Sequence, residues 1–143
     1  MSADTPQLHD RLGYLLKHAQ LRLAEHAGPA LAPLGVTGRD LAVLTVLDTA
    51  VPLAQQQAAS RLGIDRTTMV ELVDQLEGRG LVARGPDPAD RRRNLVQLTG
   101  EGRRVLTDGA RATRAAESTF LAALDPAAAE QFRKSLKLLL GVD

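Results

Sequence analysis

The sequence predicts a mainly α chain, of α+β class, with one short two-stranded β ribbon, and three observations carry that prediction. Amphipathic runs, with apolar residues at spacings of three and four, fill most of the 143 residues. One segment departs from that period: Leu81 and Val82, then a loop holding Pro86 and Pro88, then Leu95, Val96 and Leu98. Branched apolar residues flanking a proline-rich loop read as strand, loop, strand, because proline denies the loop both helix and ladder hydrogen bonds. Helix-start and helix-stop residues fall between the amphipathic runs, at Thr37, Asp65, Thr99 and Asp125 on one side and Gly28, Gly63 and Gly78 on the other.

The first helix is predicted over 6–27, with Leu8, Leu12, Leu15, Leu16, Ala19 and Leu23 on one arc and Gly28-Pro29 as its end. Pro33 and Gly35 keep the next stretch irregular. Thr37 with Asp40 three residues on is a capping-box variant and opens a helix to about Thr49, with Leu41, Val43, Leu44 and Leu47 inward. Pro52 marks a break before a short helix, Ala54–Leu62, which Gly63 ends. Asp65 is a good N-cap for a helix to about Gly78, its carboxylate placed to accept from the amides of Thr67 or Thr68. Gly78 or Gly80 can supply the left-handed cap beyond it. After the ribbon, Thr99 caps a long helix to about Ala123, whose Gly102 and Gly109 give it a thin side for another helix. Asp125-Pro126 starts the last one, which carries Phe132, Leu136, Leu139 and Leu140.

Two helices joined by a short turn containing Gly63, followed by a ribbon, make a winged helix-turn-helix over 37–99. The flanking helices, 6–27 and 100–141, have apolar faces with little local sequence to cover them. Packing them together and against a second copy is the economical solution, so they are expected to be dimerisation helices of one domain, 1–143.

Composition excludes several function classes. The formal charge is only +1, so nothing about the whole chain demands a polyanionic partner. Distribution says more: 61–104 holds nine arginines against seven acids, and Arg91, Arg92 and Arg93 stand together at the ribbon tip. Fifteen arginines against three lysines suit phosphate and guanine edges, although a GC-rich genome produces the same bias. The absence of cysteine removes disulfides, thiolate metal sites and thiol nucleophiles. No apolar run reaches the roughly 20 residues of a membrane span and no signal-peptide pattern opens the chain, so a cytoplasmic location is expected. With Tyr14, Phe120 and Phe132 as its aromatics, the chain lacks stacking platforms for single strands.

The segments Leu62–Val70 and Leu72–Val82, followed by Asp90, Arg92, Leu98, Thr99, Glu101, Gly102 and Arg103, resemble the MarR family of transcriptional regulators along the whole chain. That resemblance implies a homodimer on a palindromic operator in double-stranded promoter DNA, with each recognition helix in a major groove and each wing arginine in a flanking minor groove. It also implies, for many members, a small aromatic or phenolic effector between the dimerisation and DNA-binding parts. Repression by occupancy is the expected mode, since no further activation surface is visible.

In the helix after Asp65, Met69, Leu72, Val73 and Leu76 lie at i, i+3, i+4 and i+7 and face the core. The opposite face carries Arg66, Thr67, Val70, Glu71, Asp74 and Gln75, with Thr68 at its edge. Arg66 is suited to guanine or phosphate, and Thr67 and Thr68 to phosphate or a thymine methyl. The family more often has Thr at position 70, Arg or a small neutral residue at 71 and a basic residue at 75. Glu71 is therefore expected to weaken phosphate affinity while accepting from cytosine N4, and Val70 to meet a thymine methyl. In the wing, the resemblance gives Arg92 the minor groove, with Asp90 holding its guanidinium. Arg91 and Arg93 are expected on phosphates, and Arg84 on the backbone as a weaker candidate.

On the first helix Arg11, Tyr14, His18 and Arg22 form a polar stripe. It is either an effector pocket for an aromatic carboxylate or a solvated or interfacial face. His9, His18 and His26 have no acid cluster to complete a metal site, and neither metal nor cofactor is expected. No nucleophile triad or glycine-rich phosphate loop is present, so the chain is read as a non-enzyme. The remaining alternative is a winged-helix protein-interaction module that has lost DNA binding. Such a module has no need of Asp90 with Arg91, Arg92 and Arg93.

Overall fold

The structure, a computed structural model, describes residues 5–143. Its elements are α1 (Thr5–His9), α2 (Leu12–Leu31), a 3₁₀ turn (Ala32–Leu34), α3 (Gly38–Val46), β1 (Leu53–Ala54), α4 (Gln55–Leu62), α5 (Arg66–Gly78), β2 (Val82–Pro86), β3 (Asn94–Leu98), α6 (Gly100–Phe120) and α7 (Pro126–Leu140). The chain divides into two compact units, one from Gly28 to Thr113 and one from residues 5–27 with Arg114–Asp143.

The winged unit is organised by α5. Met69, Val73 and Leu76 have no exposed surface, and they meet Val43 and Leu44 of α3, Ala58 of α4 and Val96 of β3 in one core. Each buried Leu, Val or Met side chain contributes roughly 1.5–3 kcal/mol. The capping box forms in both directions at the start of α3: the Asp40 amide donates to Thr37 Oγ1 at 3.1 Å and the Thr37 amide to Asp40 Oδ2 at 3.0 Å. The end of α5 is a Schellman closure. The Leu81 amide donates to the Leu76 carbonyl at 3.0 Å and that of Gly80 to Glu77 at 2.9 Å, with Gly80 at φ +73°. Leu76 and Leu81 are both buried, the apolar contact that accompanies this motif.

Several expectations need correction. The helix read over 6–27 is interrupted after His9 and continues through Gly28 and Pro29 to Leu31. Leu31, only 1% exposed, is anchored in the winged core, and its burial is of the same order as the roughly 3 kcal/mol an interior proline costs. The third helix stops at Val46 rather than Thr49, and α6 stops at Phe120 rather than Ala123. The ribbon is not two-stranded in isolation. Leu53 and Ala54 pair antiparallel with Val96 and Leu95, giving a three-stranded sheet in the order β1-β3-β2. That third strand ties the root of the wing to the start of α4.

Gly102 and Gly109 do give α6 a thin side: helix α3 approaches it at Gly109, and the backbone after α5 at Gly102. A Cβ on Gly102 would lie 2.0 Å from the Leu81 carbonyl oxygen, and one on Gly109 would lie 2.5 Å from a methyl of Leu41. Thr99 fastens the same junction: its hydroxyl donates to the Gly80 carbonyl at 2.6 Å and accepts from the Gly102 amide at 3.0 Å. The wing, the end of α5 and the start of α6 are thus joined within four residues of backbone.

The second unit holds α1, the first part of α2, the end of α6 and α7. Leu23, Phe120, Phe132 and Leu136 line one apolar hollow there, and Arg133 pairs with Glu117 at 3.2 Å. Asp125 caps α7 through the Ala128 amide at 2.8 Å, as its Asp-Pro start predicts.

Gly102→Ala is expected to destabilise the chain by more than about 2 kcal/mol, since overpacking costs about 1–3 kcal/mol and the obstacle here is backbone. Gly100→Ala, where a Cβ meets nothing within 4 Å, should stay within about 0.5 kcal/mol of the parent. Urea-unfolding midpoints decide, and equal midpoints would mean that the junction has room to move.

Candidate nucleic-acid interface

The face of α5 opposite its core residues is open. Arg66, Thr67, Glu71, Asp74 and Gln75 are exposed, and Thr68 and Val70 are half-buried. At 1.5 Å per residue this helix of 13 residues is roughly 20 Å long, enough to lie in a major groove. Its N-terminus is set by Asp65, whose carboxylate accepts the Thr68 amide at 3.0 Å and the Thr68 hydroxyl at 2.5 Å. The bond from the Thr68 side chain, then that from its amide, holds the Asp65 carboxyl below its ordinary value. This cap is therefore complete above the ordinary carboxylate range and is lost as pH falls through the lowered value. It also commits the Thr68 proton, leaving that hydroxyl to act on a partner as an acceptor.

The wing tip is a pair of tight turns rather than a loose loop. The Asp87 amide donates to the Arg93 carbonyl at 3.0 Å, and the Arg93 amide to the Asp90 carbonyl at 2.9 Å. Asp90 Oδ1 accepts from the Arg92 amide at 3.1 Å and lies 3.4 Å from Arg92 Nε. The structure thus brings Asp90 and Arg92 together as expected, with the Arg92 side chain 92% exposed. Arg91 is exposed beside it. Arg93 behaves differently: it is half-buried and turns back toward the body of the unit.

Arg84 is engaged within the chain. Its guanidinium bonds Asp74 closely, Glu77 at 3.2 Å and the Gln55 side-chain oxygen at 3.3 Å, while Glu77 also accepts the Arg84 amide at 3.1 Å. The hydrogen bond to Asp74 is the largest of the interactions that raise its pKa. One side chain on β2 therefore holds α5 and the start of α4. Sequence reading placed Arg84 on DNA and Asp74 on the groove face; their mutual pairing carries no periodic signal. A second cross-link escaped in the same way. Arg79, just past α5, donates to the Gly35 carbonyl and lies 3.6 Å from the buried Asp40.

Of the polar stripe on the N-terminal helices, Tyr14, His18 and Arg22 line one groove of about 430 Å³ with Leu15 and Phe120. The Tyr14 and His18 rings lie 4.0 Å apart. Arg11 falls outside that lining. Among the described residues no group of three or more His, Asp or Glu could hold a metal ion, and no helix is long and apolar enough to cross a membrane.

Residues 34–93 match the sequence model of the MarR family. A putative transcriptional regulatory protein for the hcr operon of Thauera aromatica is 31% identical over 117 residues, covering 81% of this chain and 70% of that protein. Other curated relatives match over 56% and 61% of their own lengths. Among solved structures, a MarR-family transcriptional regulator from Rhodococcus sp. RHA1 superposes with a TM-score of 0.84 at 33% identity, covering 92% of this chain and 94% of that one. The transcriptional repressor CouR bound to a 23-mer DNA duplex gives 0.83 at 34% identity over 94% and 93%. CouR from Rhodococcus jostii RHA1 bound to p-coumaroyl-CoA gives 0.80 at 31% identity over 92% and 93%.

Arg84→Met is expected to cost about 1–2 kcal/mol, the lower part of the range for charge-assisted hydrogen bonds because its partners are half exposed. In a double-mutant cycle with Asp74→Asn the coupling should reach about 0.5 kcal/mol or more. Thermal or urea unfolding measures both. Additive effects would mean that the contact carries no stability.

Proposed function

Because the chain belongs to the MarR family of transcriptional regulators, we propose that it binds a palindromic promoter operator as a homodimer and represses by occupancy. The observation that carries this reading is the joint exposure, in one compact unit, of the Arg66–Gln75 face of α5 and the arginine tip of the wing. In this reading Arg66, Thr67 and Thr68 meet bases and phosphates at the start of the helix, and Val70, Glu71 and Gln75 read further along the groove. Arg92, oriented by Asp90, enters the minor groove, and Arg91 neutralises a phosphate. Arg84 acts indirectly, by holding the helix and the wing at one separation. The functional module is 1–143, with 37–99 on DNA and 6–27 and 100–141 joining two copies.

The second copy is supported by apolar surface. Leu8, Leu12, Leu15 and Leu16 on the N-terminal helices and Leu138, Leu139 and Leu140 on α7 are exposed by 43–80%. Leaving such surface in water costs roughly 25 cal/mol per Å², which favours its being covered by a second copy. An effector is supported by the groove at Tyr14, His18 and Arg22, whose rings and guanidinium suit an aromatic carboxylate. That CouR is known with p-coumaroyl-CoA bound favours an effector of phenolic type here. The place of action is the cytoplasm, where the promoter is.

Protection mapping on the promoter beside the gene should reveal a two-fold symmetric footprint that weakens when phenolic carboxylates are added. Arg92→Ala should lower affinity about tenfold or more, in keeping with about 1–3 kcal/mol for one specific contact, and Arg91→Ala should flatten the salt dependence by about one unit of slope. A flat response on every fragment would return the chain to the interaction-module reading.

Glu71→Ala is expected to raise affinity for unrelated duplexes while relaxing base preference at one position of each half-site, because it removes a charge that repels phosphate and accepts from cytosine. Binding to a library of single-base operator variants measures this. Unchanged affinity and unchanged preference would place Glu71 outside the interface.

A further inference from the structure

The groove at Tyr14, His18 and Arg22 also holds an acid. Glu25 lines it one turn beyond Arg22, and Phe120 from the end of α6 joins the lining. Tyr14, His18, Arg22 and Glu25 follow one another at i, i+4, i+8 and i+11, so they share one face of α2 over roughly 16 Å. Along the helix the order is two rings 4.0 Å apart, a cation, then an anion. Arg22 and Glu25 are both exposed, and neither forms an ion pair among the described residues. On one helix, a cation N-terminal to an acid is the weaker order for such a pair, which leaves both groups available to a third party. Their opposite charges cancel, so the groove offers a bare carboxylate one attraction and one repulsion. A ligand bearing both charges meets an attraction at each.

We propose that the groove selects a zwitterion, an aromatic α-amino acid whose ring lies on Tyr14, His18 and Phe120, whose carboxylate pairs with Arg22 and whose ammonium pairs with Glu25. Such a ligand carries its ring about one helical turn from its charges, the spacing that separates His18 from Arg22. Its two charges sit on one carbon, and Arg22 and Glu25 stand on adjacent turns, about 5–6 Å apart between their Cβ atoms. The groove volume of about 430 Å³ is that of a small-molecule site. Glu25 is then the specificity residue: it turns a site for phenolic acids at large into one for those that also bear an ammonium. The consequence for DNA rests on the effector reading above, while ligand binding stands without it.

Calorimetric titration of the full chain at neutral pH tests this with three probes that share one ring and differ in charge. They are L-tyrosine, para-hydroxyphenylpropionate, which lacks the ammonium, and tyramine, which lacks the carboxylate. L-Tyrosine should bind about tenfold or more tighter than either, because it alone makes both charge-assisted contacts. Glu25→Gln should weaken L-tyrosine about tenfold and leave the propionate at least as tight, which removes the preference. Arg22→Gln should weaken both carboxylates and spare tyramine. Both residues are exposed, so neither variant should move the unfolding midpoint. In a second arm, saturating L-tyrosine should lower affinity for the promoter duplex about fivefold or more. Equal binding of L-tyrosine and the propionate, or a preference that Glu25→Gln does not move, overturns the zwitterion. Binding with the expected preference but no change in duplex affinity keeps the zwitterion site and removes the effector reading. Absence of binding by all three probes overturns the zwitterion, and a phenolic acid that still weakens duplex binding then keeps the effector reading.

Discussion

The winged unit depends on the Arg84 guanidinium more than on any other polar contact. It sits on the edge strand β2, and its partners are Asp74 and Glu77 on α5 and Gln55 on α4. Hydrophobic packing of Met69, Val73 and Val96 fixes that helix and sheet are adjacent, but packing is non-directional. A planar fork bonded to three groups on two helices is directional, and it sets the angle at which the ribbon leaves the body. Groove recognition by a helix and a wing together requires that angle to be constant, because each must reach a different groove of one duplex.

Around this pin the backbone is closed with little slack. The Schellman turn at Gly80, the Thr99 hydroxyl on the Gly80 carbonyl and the approach of Leu81 to Gly102 lie next to one another. At the same end of the helix, Arg79 joins α5 to Gly35 and to the buried Asp40, which also caps α3. A recognition helix whose C-terminal end is anchored this closely transmits little of its own flexibility to the groove, and the ordering cost is met in folding rather than in binding.

What was legible in the sequence was local. Caps at Thr37, Asp65 and Asp125, and the core stripe Met69, Leu72, Val73 and Leu76, depend on neighbours within a few residues, so their spacing predicts them. The pairing of Asp90 with Arg92 is of the same kind. What was not legible crosses the chain. Gln55 meets Arg84 across 29 residues and Gly35 meets Arg79 across 44, and neither contact has a period or a motif. The two residues of β1 are too few to alternate visibly, and Pro29 reads as a helix stop until the burial of Leu31 is seen. Arg93 looked like its neighbours Arg91 and Arg92 because sequence shows that three arginines adjoin, not which one turns inward.

These pairings also resolve an apparent conflict in the recognition helix. From its composition α5 looks too acidic for a polyanion, with Glu71, Asp74 and Glu77 against a single Arg66. Asp74 and Glu77 both pair with Arg84, so one of their two negative charges is offset from the neighbouring strand rather than presented to phosphate. Arg84 is withdrawn from the exposed cations in the same exchange. Among the described acids of that face, Glu71 is then the one without a cation partner, while Arg66 stands at the start of the helix. Uniform attraction gives way to a basic focus at one end of the helix and a repulsive residue in its middle. An arrangement of that kind adds less to affinity for arbitrary DNA than to discrimination among sequences.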